Sequence, residues 1–274
     1  MIEMFSYGYM QRALAASVII GGLCALIGVY VVLKGLSFMG AGIAHASFAG
    51  AAIGLVSGVN PVFSATVFCV LVGWAIGVTT KLTKVKPDTA VGIFFSSAMA
   101  LGILILGLCP EYQADPFGYL FGSILTVTAS DLTATVILAA VVLALLAFFA
   151  KELLFTVFDE NGARVSGINA NGLFLLLVTL IALTVVVSLK VVGSVLVAAL
   201  IVTPAAAAQK LTRSFKKMCA LSVSVGIISS VGGLIISYCL RIASGAAIVM
   251  LSAVIFFLCA LFAPKDMDKK RNTK

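Results

Sequence analysis

Residues 35–80 decide the fold, and they read GLSFMGAGIAHASFAGAAIGLVSGVNPVFSATVFCVLVGWAIGVTT, a run of 46 residues without Lys, Arg, Asp or Glu. The turn-forming residues Ser57-Gly58-Val59-Asn60-Pro61 divide this run into two apolar segments. The segments Phe38–Val56 and Pro61–Thr80 each have about the 20 residues that a helix needs to cross a bilayer. The run therefore predicts two consecutive membrane spans joined by a tight turn.

The composition extends this prediction to the whole chain. Of the 274 residues, 62% are hydrophobic and 10% are charged, and the mean hydropathy is +1.22. Soluble domains carry about 25% charged residues, and one core of this size could not bury so much apolar surface. Disorder is excluded because it requires low hydrophobicity. We expect residues 1–274 to form a single transmembrane domain without a separate soluble domain.

Applied outward from residues 35–80, the same reasoning predicts an all-α, polytopic helical bundle of eight or nine spans. The predicted spans are the segment between Arg12 and Lys34, Phe38–Val56, Pro61–Thr80, Thr89–Leu108, Leu132–Ala150, Ala170–Leu189, Val191–Gln209, Met218–Leu240 and Ile242–Ala263. Only Lys190–Gly193 separates two of them, so eight spans remain the alternative. Phe121–Val127 is too short to span and is interpreted as a re-entrant or surface helix. The charged tail, residues 265–274, is predicted to be mobile.

The distribution of Lys and Arg predicts the orientation. With nine spans and the N-terminus outside, fifteen of these residues fall on the inner side, and only Arg12, Lys190 and Arg241 fall outside. This asymmetry is typical of multi-pass proteins whose cytoplasmic loops are positive. The formal charge of +8 is thereby assigned to cytoplasmic loops, and we expect no nucleic-acid partner. The protein is predicted to lie in a membrane, with membrane lipid around it and its C-terminus in the cytoplasm.

The six cysteines include no CxxC pair, which disfavours a zinc cage or a redox motif. Cys109 and Cys239 both lie at span ends that are predicted to be outside. A disulfide between them is left open.

His45 is the only histidine, and it lies inside the second predicted span. Polar side chains are costly in a bilayer, so a role in the transport path is expected, although a hydrogen-bonded core histidine is the alternative. The span is rich in Gly and Ala and is expected to pack centrally. No acidic residue lies in the middle of a span, which argues against a proton-driven carrier. No GxxxxGK[ST] loop occurs, so any ATP would be bound by another chain, and we expect no enzyme activity here.

The polar segment 151–171 contains a candidate docking helix. Asp159 can cap this helix and Gly167 can end it. Its apolar side comprises Phe158, Ala163, Val165 and Ile168. The residues alone leave two alternatives open: docking into a partner's groove, or lying on the membrane surface.

Two further positions are candidate hinges or kinks. Pro204 lies in the run Thr203–Ala208, inside a predicted span, where proline removes a helix hydrogen bond. Gly193 lies at the weak division between two spans. A tolerated packing kink is the alternative for Pro204.

Seven short stretches occur in an order that resembles the membrane subunits of bacterial ATP-binding-cassette importers for zinc, manganese or iron. They are Met39–Gly40 with His45–Ala46–Ser47, Asn60–Pro61, Asp88–Thr89 with Gly92–Ile93, Tyr119–Leu125 with Asp131–Leu132, Gly162–Ala163 with Gly167–Ile168, Lys190–Gly193, and Thr203–Ala206. The resemblance implies a homodimer around a central path, two ATPase subunits docked beneath it, and an external binding protein that delivers the ion. It also assigns Phe158, Asp159, Ala163, Gly167 and Ile168 to ATPase coupling. No covalently bound cofactor is implied.

One position departs from the family pattern. The family commonly has an Asp four residues before the membrane histidine, and here Ala41 replaces it. One imidazole without a carboxylate suits zinc somewhat better than manganese. The identity of the transported ion therefore stays undecided. Two alternative functions also remain: a permease for a metal chelate or another small solute, and a secondary carrier that needs no partner.

Overall fold

The computed structural model describes residues 7–108 and 127–262, which form α-helices and no strand. The helices are α1 Gly8–Leu33, α2 Met39–Val56, α3 Pro61–Thr83, α4 Pro87–Leu108, α5 Ala129–Phe148, α6 Ala150–Phe158, α7 Glu160–Val165, α8 Ala170–Val192, α9 Ser194–Leu211, α10 Phe215–Leu240 and α11 Ser244–Leu261.

Within these residues, nine helices are long and apolar enough to cross a membrane. They are α1 to α5 and α8 to α11, which agrees with the larger of the two predicted numbers, eight and nine spans. The short helices α6 and α7 lie between α5 and α8, inside the predicted polar segment. The first span starts earlier than predicted, so Arg12 lies within α1, where its Nε donates a hydrogen bond to the carbonyl of Val127 at 3.1 Å.

Helix α2 lies at the centre of the bundle, as its small side chains predict. Thirteen of its eighteen residues are buried, against α3, α4, α8 and α9. A Cβ added at Gly42 would collide with the side chain of Val91 on α4. The two helices can therefore approach this closely only because residue 42 is glycine.

Helix α1 is held against α9 and α10 by close contacts and by hydrogen bonds between helices. A Cβ at Gly28 would collide with the carbonyl oxygen of Ile201 on α9. The hydroxyl of Ser222 on α10 donates to the carbonyl of Ala25 at 2.7 Å, and that of Ser230 donates to the carbonyl of Ser17 at 2.9 Å. In a bilayer, small residues and such hydrogen bonds are what join helices.

Gly193 forms the whole junction between α8 and α9. Its φ of 85° and ψ of 160° belong to a region that is essentially restricted to glycine. The predicted start of the seventh span at Val191 is therefore wrong by three residues, because α8 continues to Val192 before the backbone breaks. Pro204 is buried within α9, which continues through it. Whether either position moves during transport stays a prediction.

Several predictions fall outside the described residues. They concern Cys109, the segment Phe121–Val127 up to residue 126, and the tail 265–274. Cys239 is described and exposed, but its pairing with Cys109 is not tested.

Candidate functional site

A cavity of about 410 Å³ lies between the first two turns of α2 and the first two turns of α4. The residues that line it follow a helical i, i+3, i+4, i+7 pattern on both sides, so one face of each helix forms each wall. These residues are Phe38, Ala41, Gly42 and His45 at α2, and Asp88, Val91, Gly92 and Phe95 on α4.

The described contacts show which side of the bundle the cavity faces. Because α2 crosses the bundle in one direction and α3 returns in the other, the α1–α2 turn and the α3–α4 turn lie on the same side. Lys34 in the first turn contacts Glu160 on α7, and Lys81 at the end of α3 contacts Asn171 at the start of α8. Phe38 and Asp88, which line the cavity at these helix starts, are exposed, so the mouth of the cavity lies on the same side as α6 and α7.

His45 is the deepest polar group in this cavity. Its ring meets the ring of Phe95 edge to face, with the centroids 5.0 Å apart. Its Nδ1 atom is buried, and no described residue forms a hydrogen bond with it. A buried polar atom without a partner is costly, so this atom is available to form a hydrogen bond or to coordinate an ion.

Ala41 lines the same wall one helical turn from His45, as the sequence predicts. Its methyl group provides no ligand. Among the described residues, no three His, Cys, Asp or Glu side chains come close enough together to hold a metal ion. The described residues that line the cavity therefore do not form a closed metal cage.

Asp88 is the acidic residue that lines the cavity, and the sequence alone indicates no role for it. It lies in the first turn of α4, at the mouth. The available signal was topological: α2 and α4 start on the same side, so their first turns can face each other. The stretch containing Asp88 was noticed only as part of the family pattern.

The predicted ends of the helix in the segment 151–171 are confirmed. Asp159 Oδ1 accepts a hydrogen bond from the backbone N–H of Gly162 at 2.8 Å. At the other end, Gly167 has a φ of 81°, and the N–H of Ile168 donates to the carbonyl of Ala163 at 3.0 Å. This is the hydrogen-bond pattern of a glycine-terminated helix. Helix α7 is therefore a defined element rather than an irregular loop.

The predicted apolar side of α7 divides into inward and outward residues. Phe158 and Val165 are 64% and 91% exposed. Ala163 is fully buried within the chain, and Ile168 packs against the hydrophobic core. The Ala163 side chain faces the body of the protein, and its role in ATPase coupling stays a prediction.

A polar cluster that the sequence did not predict holds α7 in place. We call Lys34, Glu160, Arg164 and Asn171 the Glu160 cluster. Glu160 accepts hydrogen bonds from Lys34 Nζ and from Arg164, both at 2.7 Å, and Arg164 also donates to Asn171 at 3.2 Å. Lys34 additionally donates to the carbonyl of Thr156 at 3.0 Å. The cluster joins α7 to the turn that leads into α2.

The Glu160 carboxylate is stabilised in its charged form. The hydrogen bond from Lys34 is the main cause that lowers the pKa of Glu160 below its usual range, and Arg164 adds to it. Only the i, i+4 spacing of Glu160 and Arg164 was visible in the sequence. The Lys34 contact spans 126 positions and appears only in the fold.

Comparison with known proteins identifies relatives over nearly the full chain. The description "ABC 3 transport family" applies to a sequence model that matches residues 6–263. The manganese transport system membrane protein MntC of Listeria innocua is 39% identical over 96% of this chain and 94% of its own length. The manganese import system permease protein ScaB of Streptococcus gordonii is 36% identical, with both chains fully covered. The solved structure of PsaBC from Streptococcus pneumoniae in complex with Fab has a TM-score of 0.87 at 35% identity and covers 99% of this chain and 100% of its own.

Proposed function

The chain belongs to the ABC 3 transport family and is a multi-pass permease, and from this we propose that it is the membrane subunit of an ATP-driven importer for a divalent transition metal, with manganese as the first candidate. The names of the relatives that resemble it along their whole length support manganese. Zinc and iron are the competing ions.

The observation that carries the proposal is the unpartnered Nδ1 of His45 in the cavity between α2 and α4. One imidazole and one distant carboxylate bind a divalent ion weakly. Weak binding suits conduction, because an ion must leave the path as readily as it is accepted. Selectivity would then come mainly from an external binding protein that delivers the ion.

A homodimer fits the exposure of α4. Ile93, Ile103 and Leu104 on this helix are 56%, 58% and 58% exposed in the single chain. A second copy placed against α4 would enclose the cavity and turn it into a central path. Lipid would cover the remaining apolar surface.

The segment α6–α7 is the proposed docking element for two ATPase subunits, one on each permease copy. Phe158 and Val165 present apolar surface outward, while Asp159, Ala163, Gly167 and Ile168 shape and anchor the helix. The Glu160 cluster would transmit movement of this element to the turn before α2. ATP is bound and hydrolysed on the partner chains.

The proposed orientation places α6–α7 in the cytoplasm, the N-terminus outside and the C-terminus inside the bacterial plasma membrane. The predominance of Lys and Arg on the side of α6–α7 supports this arrangement.

Reconstitution tests this proposal. The permease, its ATPase and its binding protein are assembled in proteoliposomes, and manganese uptake is followed with ATP, without ATP, and with zinc or iron as competitors. We expect uptake that requires ATP and the binding protein. Uptake that proceeds without ATP would identify a secondary carrier instead, and uptake only of a chelated metal would identify a chelate permease.

A further inference from the structure

The geometry points to Asp88 as a second cation station at the mouth of the cavity, which draws the divalent ion away from His45 toward the cytoplasm. This inference rests on the proposed function. It adds a carboxylate on a different helix, at a different depth, from the position that Ala41 occupies.

The lining pattern fixes the relative depth of the two groups. Val91 lies against Gly42 and Phe95 lies against His45, so these pairs are level along the two helices. Asp88 lies seven residues before Phe95, which corresponds to about 10 Å along a helix axis. His45 and Asp88 are therefore too far apart to hold one ion together, and they form two successive positions on one path.

The two positions offer different ligands, and their sequence along the path favours release of the ion toward the mouth. His45 offers one neutral nitrogen in a largely apolar part of the cavity, where a cation is held weakly. Asp88 is exposed at the cytoplasmic mouth, so it offers a charged oxygen ligand to an ion that can keep several of its waters. An ion at His45 is thus attracted toward the cytoplasmic mouth by the carboxylate of Asp88, which water can later replace as a ligand.

Two independent observations support the interpretation that Asp88 belongs to the ion path and is not merely an acidic residue at the start of a helix. The Nδ1 atom of His45 is buried and lacks a partner in the described chain, and Asp88 lines the same cavity. Ala41, midway between them, leaves the space open where the family pattern has a carboxylate. Asp88 supplies the carboxylate of this path from the start of α4.

Asp88→Asn tests the inference in the assembled complex. The rate of manganese uptake per complex should fall about tenfold, as expected when one ligand of a weak site is lost. The manganese concentration that gives half-maximal uptake should stay the same, because delivery precedes this station. Asp88→Glu should retain most of the rate. Electron paramagnetic resonance of Mn²⁺ on the purified complex should show one weakly bound ion fewer per permease in Asp88→Asn.

Asp131→Asn is the matched control, because Asp131 is also an acidic residue in the first turn of a spanning helix but does not line the cavity. If Asp88→Asn takes up manganese like the wild type, or if both variants slow uptake equally, the inference is overturned. If Asp88→Asn does not assemble, Asp88→Ser replaces it as a neutral residue that is tolerated at helix starts. If the wild-type complex itself takes up no manganese, the proposed function fails, which is a separate result from a normal Asp88→Asn.

Discussion

The contact between Lys34 and Glu160 should connect the ATPase-docking element to the path, and a double-mutant cycle can measure it. Lys34→Met, Glu160→Gln and the double variant remove the pair in steps. The two side chains are 18% and 34% exposed, so the pair is neither fully solvated nor fully buried. Exposed ion pairs contribute about 0.2–1 kcal/mol, and hydrogen bonds to charged groups about 1.5–3 kcal/mol. After allowance for solvent screening, we expect an interaction energy of about 1 kcal/mol.

The cycle is read in two assays. Unfolding of the purified permease in detergent should give the interaction energy, and uptake in proteoliposomes should show that more ATP is hydrolysed per ion in Glu160→Gln. Arg164→Gln is the control, because its side chain is 51% exposed and its i, i+4 pair with Glu160 should contribute only about 0.3 kcal/mol. An interaction energy near zero, together with an unchanged ratio of ATP to ion, would refute the idea that this contact joins the two elements.

The remaining predictions concern pH, the junction and the docking surface. Because the pKa of Glu160 is lowered in the folded protein, its stabilising effect should be complete above the ordinary glutamate pKa of about 4.3 and should be lost as the pH falls through the lowered pKa. The difference in Tm between wild type and Glu160→Gln should therefore be present at pH 7 and should shrink in strong acid. A difference in Tm that grows on acidification would contradict this expectation. Gly193→Ala should lower the free energy of unfolding by about 1–3 kcal/mol, because alanine is strained at a φ of 85°. Gly107→Ala on α4 should be nearly neutral by thermal unfolding, because a Cβ added there meets nothing within 4 Å. Val165→Asp and Phe158→Ser should leave the Tm of the isolated permease unchanged, because both side chains are exposed. Both variants should weaken co-purification with the ATPase about tenfold or more. Normal co-purification would place the docking surface elsewhere.

The sequence predicted the elements that depend on local pattern. Apolar runs bounded by charges identified eight or nine spans, and Asp159 and Gly167 identified both ends of α7. The small residues of α2 predicted its central position, because only small side chains allow helices to approach so closely. These features need no knowledge of which distant residues meet.

Features that depend on distant contacts were missed. Lys34 and Glu160 meet because the fold brings the α1–α2 turn beside α7, and no local periodicity records that contact. Asp88 joins the cavity of His45 through the parallel arrangement of α2 and α4. Ala163 appeared suitable for docking because composition shows that a side is apolar but does not show which way it faces.

Manganese uptake by His45→Ala, normalised to the amount of assembled complex, tests the central claim most directly. Alanine fits among the small residues of α2, so the variant should fold and bind its ATPase. Ser47→Ala is the control, because it removes another buried polar group from the same helix outside the cavity. The account predicts that His45→Ala loses about tenfold or more of its uptake per complex while Ser47→Ala keeps it. If His45→Ala instead has a lower Tm and unchanged normalised uptake, His45 is a packing residue and the cavity between α2 and α4 is not the path.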